Sequence, residues 1–420
     1  MKPDPLPSVS IPEAQGESER LPPSAVPPPG VLREVALAFL KLGLIGFGGP
    51  AAHLGLMETE FVRQRRWVTH EKFADLLAAS SLIPGPNSTE MAMWLGQIRG
   101  GLTGLIVAGV CFILPAMLIV MVVAWVYQRY GTLPDARAIL YGVKPVMIAI
   151  ILQALWTLGR RCVRQPWQAA LGTAALGAGV AGAHELLVLL GAGILALVWH
   201  EARRPSSGDR SGGTWLLNGV LPAAGWGQGQ AMLAAGSVVT PQSFGLVPLF
   251  LFFLKVGAVL YGSGYVLLAF LRADLVERWQ WLSEGQLLDA VAVGQITPGP
   301  LFTTATFIGS ILGGVPGALL ATVGIFLPAF VFVAIATPWL PRLRASKRVG
   351  VFLDGVIIAS LALMTLVTWH LGRAALVDLP TVAAAILSGV VVLRWQINTA
   401  WLVGAGALFG FLAARLNGVG

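Results

Sequence analysis

Residues 101–127 form an apolar stretch, GLTGLIVAGVCFILPAMLIVMVVAWVY, without a single charged side chain. About 20 such residues are enough for a helix to cross a lipid bilayer. Only 11% of the 420 residues are charged and 56% are hydrophobic, whereas charged residues make up roughly 25% of a soluble globular domain. So few charges cannot cover the surface of a soluble protein of this length. We therefore predict an all-α polytopic membrane protein.

The distribution of charge and cysteine excludes several other classes. The net charge of +8 is spread over short loops, without the basic, aromatic-interleaved face that binds nucleic acid, and it fits the Lys/Arg excess at cytoplasmic helix ends. Cys111 and Cys162 lie in or beside apolar segments, which argues against a disulfide framework or a thiolate metal site. No His, Asp or Glu cluster has metal-ligand spacing, so we expect neither a metal nor a cofactor. The sequence leaves both a monomer and a homodimer open.

Apolar segments fall into two sets of six. We expect helices at 33–57, 72–98, 101–128, 138–159, 167–183, 185–200, 247–271, 286–311, 315–338, 351–371, 379–393 and 395–414. This pattern predicts a disordered Pro-rich tail at 1–30, a first membrane repeat at 31–200, a linker at 201–246 and a second membrane repeat at 247–415. One helix lying on the membrane surface is expected inside the linker.

The two sets are copies of one another. FLKLG at 39–43 matches FLKVG at 253–257 at an offset of 214, and the same offset aligns the two Pro-Gly-Pro sequences. Repeat 2 then lacks one residue, so the offset falls to 213, and the LPA at 114–116 matches the LPA at 327–329. Internal duplication of this kind is the ground plan of many secondary transporters.

Loop charges predict that the repeats are inverted. The first loop is rich in Lys and Arg in repeat 1 (Arg63 to Lys72) and poor in repeat 2, while the second loop is rich in repeat 2 (Arg342 to Arg348) and poor in repeat 1. If positive loops face the cytoplasm, the copies have opposite orientations. Inversion requires an odd number of membrane crossings per repeat, so one of the six segments cannot cross. The Pro-broken segment 72–98 is the best candidate, as a re-entrant hairpin.

Two breaks recur in both repeats. Gly48 and Gly49 interrupt the first segment of repeat 1, and Gly262 occupies the equivalent region of repeat 2. Proline removes a backbone hydrogen-bond donor, and glycine permits unwound backbone. Inside a membrane, unwound backbone has to be buried in protein or to line a water-filled cavity. The N-termini of the resulting half-helices attract anions, and a simple kink is the alternative. The second break is a Pro-Gly-Pro sequence in each repeat, formed by Pro84, Gly85 and Pro86 and by Pro298, Gly299 and Pro300.

Polar residues follow the first Pro-Gly-Pro directly, whereas two apolar residues come first after the second. Asn87, Ser88 and Thr89 can donate hydrogen bonds to an oxyanion or act as ordinary helix caps. Repeat 2 has Leu301 and Phe302 at the first two of these positions, so we expect repeat 1 to supply most polar contacts.

Lys41 and Lys255 stand at equivalent positions just before the first break. A lysine in the middle of an apolar segment is costly unless it finds water or a partner, and we favour an anion-binding role over snorkelling. In an inverted repeat the two lysines would approach the membrane midplane from opposite sides.

Three acidic residues are candidates for proton coupling: Glu90, Asp75 and Asp289. For Asp75 and Asp289, near expected helix starts, pairing with a helix dipole or with nearby Lys and Arg is an alternative that we rank slightly higher.

Several motifs in the chain resemble the chromate transporter (CHR) family in its long, two-domain form. They cover residues 34–414 and are GFGGP at 46–50, RRW at 65–67, LIPGPNSTEMAMWLGQIRGG at 82–101, CFILPA at 111–116, FLKVG at 253–257 and QITPGP at 295–300. The resemblance implies export of chromate across the cytoplasmic (inner) membrane, driven by the proton motive force, and hence chromate resistance.

The residues themselves do not choose between tetrahedral oxyanions. Broken helices, two lysines and Ser, Thr and Asn caps suit chromate and sulfate about equally, so a sulfate transporter or an anion channel is the alternative. An intramembrane enzyme is disfavoured because the sequence has no HExxH, no GxSxG elbow and no carboxylate-rich metal motif.

Overall fold

The computed structural model describes eight stretches of the chain, and every regular element in them is helical. These stretches are 29–47, 49–80, 82–131, 133–203, 243–261, 267–337, 346–395 and 399–416. Gly48 and Gly262 lie outside the described residues, as do most of the expected tail and most of the expected linker. The first helix begins at Pro29, two residues inside the segment expected to be disordered.

Repeat 1 contains helices α1 to α7 within the described residues. Their bounds are Pro29–Ile45, Gly49–Glu58, His70–Ser80, Asn87–Tyr130, Pro134–Cys162, Pro166–Val180 and Glu185–Ala202. Helix α2 continues into a π-helical segment, Thr59–Gln64. Proline at the first turn of α5 and of α6 starts both helices, because the missing N–H has no acceptor there in any case.

Repeat 2 contains helices α8 to α14 in the part of the chain that the structure describes. Their bounds are Leu246–Val259, Leu267–Phe270, Glu284–Ile296, Thr304–Ala336, Lys347–Ala375, Leu379–Trp395 and Thr399–Leu416. Helix α9 continues into a π-helical segment, Leu271–Arg278, and a 3-10 turn, Leu301–Thr303, precedes α11.

The duplication extends to backbone conformation. Arg66 and Gln280, which are equivalent at the offset of 214, both have positive φ, 51° and 56°, after a π-helical segment. Gly101 and Gly314 have φ of 61° and 60° with ψ of −154° and −151°. Equivalent residues therefore adopt the same unusual conformations, and the two-repeat arrangement is confirmed.

Helices α4 and α11 are each folded back at their double glycine. A Cβ on Gly96 would lie 2.4 Å from the carbonyl oxygen of Gly104, although residues eight apart in a straight helix are about 12 Å apart. In α11 the hydroxyls of Thr306 and Thr322 lie 2.7 Å apart. Each of these helices therefore consists of a short arm before its double glycine and a long arm after it.

The short arm of α4 and helix α3 form the re-entrant hairpin. Helix α3 has 11 residues and spans about 16 Å, and the short arm, 87–99, spans about 20 Å. Neither reaches across the ~30 Å hydrocarbon core of a bilayer. The segment expected at 72–98 is thus two half-helices joined by the Pro-Gly-Pro sequence.

The repeats are inverted relative to each other. The Gln128 side chain, at the end of the α4 long arm, donates to the carbonyl oxygen of Ser310 beside the glycine turn of α11, at 2.8 Å. Thr337, at the end of the α11 long arm, donates to Gln97 beside the glycine turn of α4, also at 2.8 Å. The two equivalent long arms therefore run antiparallel.

This geometry defines two membrane faces. Face A is the face at which Glu34 pairs with Arg99, at 3.0 Å, and face B is the face at which the α4 long arm ends. Asp378, just after α12, accepts a hydrogen bond from Tyr141 near the start of α5, at 2.7 Å, so α12 ends at face B.

Six helices among the described residues are long and apolar enough to cross a membrane. They are α4, α5, α7, α11 (with its preceding 3-10 turn), α12 and α14. The prediction of an all-α polytopic membrane protein built from two repeats is confirmed.

Candidate functional site

The two Pro-Gly-Pro loops cross between the repeats. The first Pro-Gly-Pro loop (residues 84–86) donates the Gly85 N–H to the carbonyl oxygen of Leu260, at 2.8 Å. The second Pro-Gly-Pro loop (residues 298–300) donates the Gly299 N–H to the carbonyl oxygen of Gly46, also at 2.8 Å. Gly46 and Leu260 are equivalent by sequence, and each lies at the broken end of the first helix of its repeat. The structure therefore brings both kinds of break together.

Only glycine fits at the centre of each loop. Gly85 has φ of 143°, and a Cβ there would lie 2.3 Å from Glu90 Oε1. Gly299 has φ of 97°, and a Cβ there would lie 2.6 Å from the Cβ of Ala116 in repeat 1. Side chains rarely adopt such φ values, and backbone packed this closely leaves no space for one.

A helix starts directly after each loop. Helix α4 begins at Asn87, and the 3-10 turn Leu301–Thr303 leads into α11. The first amides of a helix lack an intrahelical acceptor and carry the positive end of its dipole. Two such ends follow the crossed loops, which is an arrangement suited to an anion.

Buried polar atoms without a hydrogen-bond partner cluster after the first loop. They are Asn87 Oδ1, Thr89 Oγ1, both carboxyl oxygens of Glu90 and Trp94 Nε1. Ser88 is also buried, at 2% exposure. Buried polar atoms in proteins are nearly always hydrogen-bonded, so a group of them at one place is typical of a binding site.

In repeat 2 the polar side chains at the equivalent positions, Thr303 and Thr304, have hydrogen-bond partners within their own repeat. Thr303 donates to the Pro300 carbonyl oxygen at 2.9 Å, and Thr304 donates to that of Leu301 at 2.8 Å. Leu301 and Phe302 offer no side-chain hydrogen bond. The polar character of the site therefore comes mainly from repeat 1.

Each lysine pairs with a carboxylate of its own repeat. Lys41 Nζ lies 3.0 Å from Glu60 Oε2, and Lys255 Nζ lies 2.5 Å from Asp274 Oδ2. The two acids are equivalent by sequence, and Arg65 also binds Glu60, at 2.7 Å. Alignment of the repeats could have indicated this pairing, because both acids follow their lysine by 19 residues.

The three acidic candidates lie in different surroundings. Glu90 is fully buried in the first turn of α4, beside Gly85. Asp75 is exposed on α3. Asp289, on α10, is 4% exposed and contacts Tyr127 and Lys144 of repeat 1.

His53 is a site residue that our sequence reasoning missed. It is 2% exposed, and its Nε2 lies 2.8 Å from the same Gly46 carbonyl oxygen that accepts from Gly299. A carbonyl oxygen only accepts, so Nε2 carries the hydrogen. The signal available in the sequence was a histidine four residues after Gly49, with leucine at the equivalent position of repeat 2.

All six residues of the two Pro-Gly-Pro loops are buried. A cavity of about 370 Å³ lies between α5 and α12 and is lined mainly by apolar side chains such as Leu152 and Leu155. Residues of the Pro-Gly-Pro loops do not line it. Within the described ranges, no three His, Cys, Asp or Glu side chains come together as a metal site requires.

Comparison with known proteins finds a family match for each repeat. The family profile described as Chromate transporter matches residues 33–197 and 247–411, one match per repeat. A chromate transport protein of Cupriavidus metallidurans is 33% identical over 318 residues, covering 75% of this chain and 76% of that protein. A chromate transport protein of Pseudomonas aeruginosa is 31% identical over 77% of each chain, and a probable chromate transport protein of Synechococcus elongatus is 32% identical over 74% of this chain and 77% of its own.

No solved structure matches the chain. The paired family matches coincide with the two inverted repeats, and the chain belongs to the chromate transporter family.

Proposed function

We propose that this protein is a secondary active transporter that exports chromate from the cytoplasm, driven by the proton motive force, and so confers chromate resistance. The observation that carries the proposal is the crossing of the two Pro-Gly-Pro loops, which brings two half-helix starts and a group of unpartnered polar atoms together inside the membrane. Inverted repeats that meet at broken helices are the usual construction of alternating-access transporters.

Chromate would bind after the first loop. Asn87, Ser88 and Thr89 supply side-chain donors, and the helix start supplies backbone amides. The glycines and prolines of both loops, with Gly49 of the first break, allow the backbone to approach the anion closely. Gly48 and Gly262 are proposed as ligands from the sequence alone. A tetrahedral dianion offers an acceptor in each of these directions.

Lys41 and Lys255 are proposed as further oxyanion ligands. In this structure Lys41 is ion-paired with Glu60 and Lys255 with Asp274. To bind the substrate, the ammonium group of each lysine has to leave its carboxylate and contact the anion. The Lys41 side chain is 53% exposed while Glu60 is 9% exposed, so the lysine is the partner with room to move.

Glu90 is the coupling acid that this geometry supports best. An ionised carboxylate without a partner inside a protein costs several kcal/mol, and a proton removes that charge. Because Glu90 lies in the same helix turn as the proposed chromate ligands, its proton and the dianion would influence each other directly. Asp75 is exposed and Asp289 is ion-paired with Lys144, and neither lies in the helix turn of the proposed chromate ligands.

The charge distribution orients the protein in the cytoplasmic membrane. Face A carries the first loop of repeat 1, which is rich in Lys and Arg (Arg63, Arg65, Arg66 and Lys72). By the positive-inside rule face A is cytoplasmic and face B is external. Export therefore runs from face A to face B.

Sulfate is the alternative substrate, since it has the shape and charge of chromate. The test is chromate uptake into inverted membrane vesicles, with and without an uncoupler and with and without excess sulfate. We expect energy-dependent chromate uptake that the uncoupler abolishes. Uptake that persists with uncoupler would indicate a passive channel, and uptake of sulfate in preference to chromate would overturn the substrate assignment.

A further inference from the structure

A buried charged contact joins the two repeats near face B. Asp289, on α10 of repeat 2, accepts a hydrogen bond from the Tyr127 hydroxyl at 2.9 Å and lies 3.4 Å from Lys144 Nζ. Tyr127 and Lys144 belong to α4 and α5 of repeat 1. The Asp289 side chain is 5% exposed and that of Lys144 is 25% exposed. The contact is therefore largely shielded from solvent and spans the repeat boundary.

The sequence offers no counterpart of this contact at face A. The residue equivalent to Lys144 is Ile357, and the residue equivalent to Tyr127 is Leu340, so neither can bind a carboxylate. Asp75, the equivalent of Asp289, is exposed. Other inter-repeat contacts occur as equivalent pairs at the two faces. Gln128 contacts Ser310 near face B and Thr337 contacts Gln97 near face A. The exposed ion pair of Arg415 with Asp135 near face B likewise has its equivalent in Arg348 and Glu201 near face A.

The repeats must move against each other if access alternates between the faces. An opening toward face B that moves α4 and α5 of repeat 1 away from α10 separates both Tyr127 and Lys144 from Asp289. At face A the repeats are joined by the ion pair between Arg348 and Glu201, at 3.0 Å, but both side chains are exposed, 64% and 40%, and exposed ion pairs contribute little. A contact that exists in only one of two states favours that state by the whole free energy of the contact.

We propose that Lys144 and Asp289, with Tyr127, form a latch that holds face B closed and that has to open before substrate leaves on that side. The latch rests on the proposed function for its place in the transport cycle. While the latch is closed, the hydrogen bond from the Tyr127 hydroxyl holds Asp289 beside Lys144. Within the described residues, Lys144 is the charged group that contacts Asp289, and Tyr127 is a neutral donor.

Cysteine accessibility tests the latch without any substrate. Ser310, 7% exposed beside the glycine turn of α11, reports on face B, and its equivalent Gln97 reports on face A. Each is replaced by cysteine after Cys111→Ser and Cys162→Ser. A membrane-impermeant thiol reagent is applied to intact cells for face B and to inverted vesicles for face A.

Asp289→Asn and Lys144→Met should each raise the labelling rate of Ser310→Cys by roughly tenfold, which corresponds to about 1.4 kcal/mol in the opening equilibrium. The labelling of Gln97→Cys should fall or stay constant. The matched control is Thr337→Val, which removes the neutral bond near face A and should not raise labelling at face B. The charge-exchanged variant Lys144→Asp/Asp289→Lys should restore slow labelling at Ser310→Cys.

Unchanged labelling of Ser310→Cys in both single variants would overturn the latch, as would an equal increase at both faces. If the single variants fail to accumulate, fast labelling in the charge-exchanged protein would overturn it too. If Asp289→Asn labels like the wild type but loses proton dependence of transport, Asp289 is a proton carrier instead. Chromate is absent from the labelling assay, so a wrong substrate assignment would leave its result unaffected.

Discussion

The amide of Gly85 in repeat 1 donates to the carbonyl oxygen of Leu260 in repeat 2, at 2.8 Å. The equivalent bond in the other direction joins Gly299 to Gly46 at the same distance. Each Pro-Gly-Pro loop is thus held by the broken helix of the other repeat, so a movement of one repeat changes both halves of the site. A ligand bound at the loops would therefore be coupled to the relative position of the repeats through these two backbone hydrogen bonds.

Replacing Gly85 should block transport. Gly85→Leu places a side chain at a φ of 143° and against Glu90, and the strained backbone alone costs about 1–3 kcal/mol. We expect chromate uptake to fall to background while membrane insertion persists. Gly182→Ala is the matched control, because Gly182 also has positive φ, 81°, but a Cβ there meets nothing within 4 Å. Wild-type transport by Gly85→Leu would mean that the first loop is only a kink.

Glu90→Gln should uncouple transport from protons. The substitution keeps the size of the side chain and removes its ability to carry a proton, so pH-driven uptake should be lost while the protein level stays near that of the wild type. Asp75→Asn, at an exposed position, serves as the control and should leave uptake within about twofold. Retention of full proton-driven uptake by Glu90→Gln would exclude Glu90 as the coupling acid.

Lys41→Ala should abolish chromate export without loss of the protein, because Arg65 still binds Glu60. Lys41→Arg should keep part of the activity, since the charge survives and its geometry changes. Lys255→Ala should have a smaller effect, as the polar atoms of the site belong mostly to repeat 1. The measurement is growth in chromate together with uptake in inverted vesicles. Full resistance in Lys41→Ala would contradict the anion-binding role.

Equivalent residues of the inverted repeats should lie on opposite sides of the membrane. Thr69 and Ser283 are both exposed and both cap the start of their next helix, which makes them a matched pair at the offset of 214. In a protein without Cys111 and Cys162, Thr69→Cys should stay protected from an impermeant thiol reagent in intact cells, whereas Ser283→Cys should be labelled. Labelling of both, or of neither, would contradict the inverted arrangement.

Much of the architecture was predictable because it depends on local chemistry and repetition. Long uncharged segments specify membrane helices, and the offset of 214 pairs Gly85 with Gly299 by the order of residues alone. The glycine pairs at 100–101 and 313–314 also align by sequence. However, the reversal of the helices at these pairs depends on backbone angles that the residue types do not determine.

The contacts between repeats were not predictable in the same way. Asp289 and Lys144 are 145 residues apart in the chain, and the pairing of Asp289 with Tyr127 follows from the antiparallel packing of the long arms. His53 escaped notice because a single histidine in an apolar helix carries no spacing signal. Its role at Gly46 depends on where the second Pro-Gly-Pro loop lies.

We propose above all that chromate movement is coupled to protons at the crossed loops. The most direct measurement uses purified protein in liposomes with an imposed pH gradient, and it follows chromate and proton fluxes together. We expect the proton gradient to drive chromate uphill and protons to move in a fixed ratio to chromate, and we expect Glu90→Gln to abolish both. Chromate that only runs down its own gradient, without proton movement, would contradict it.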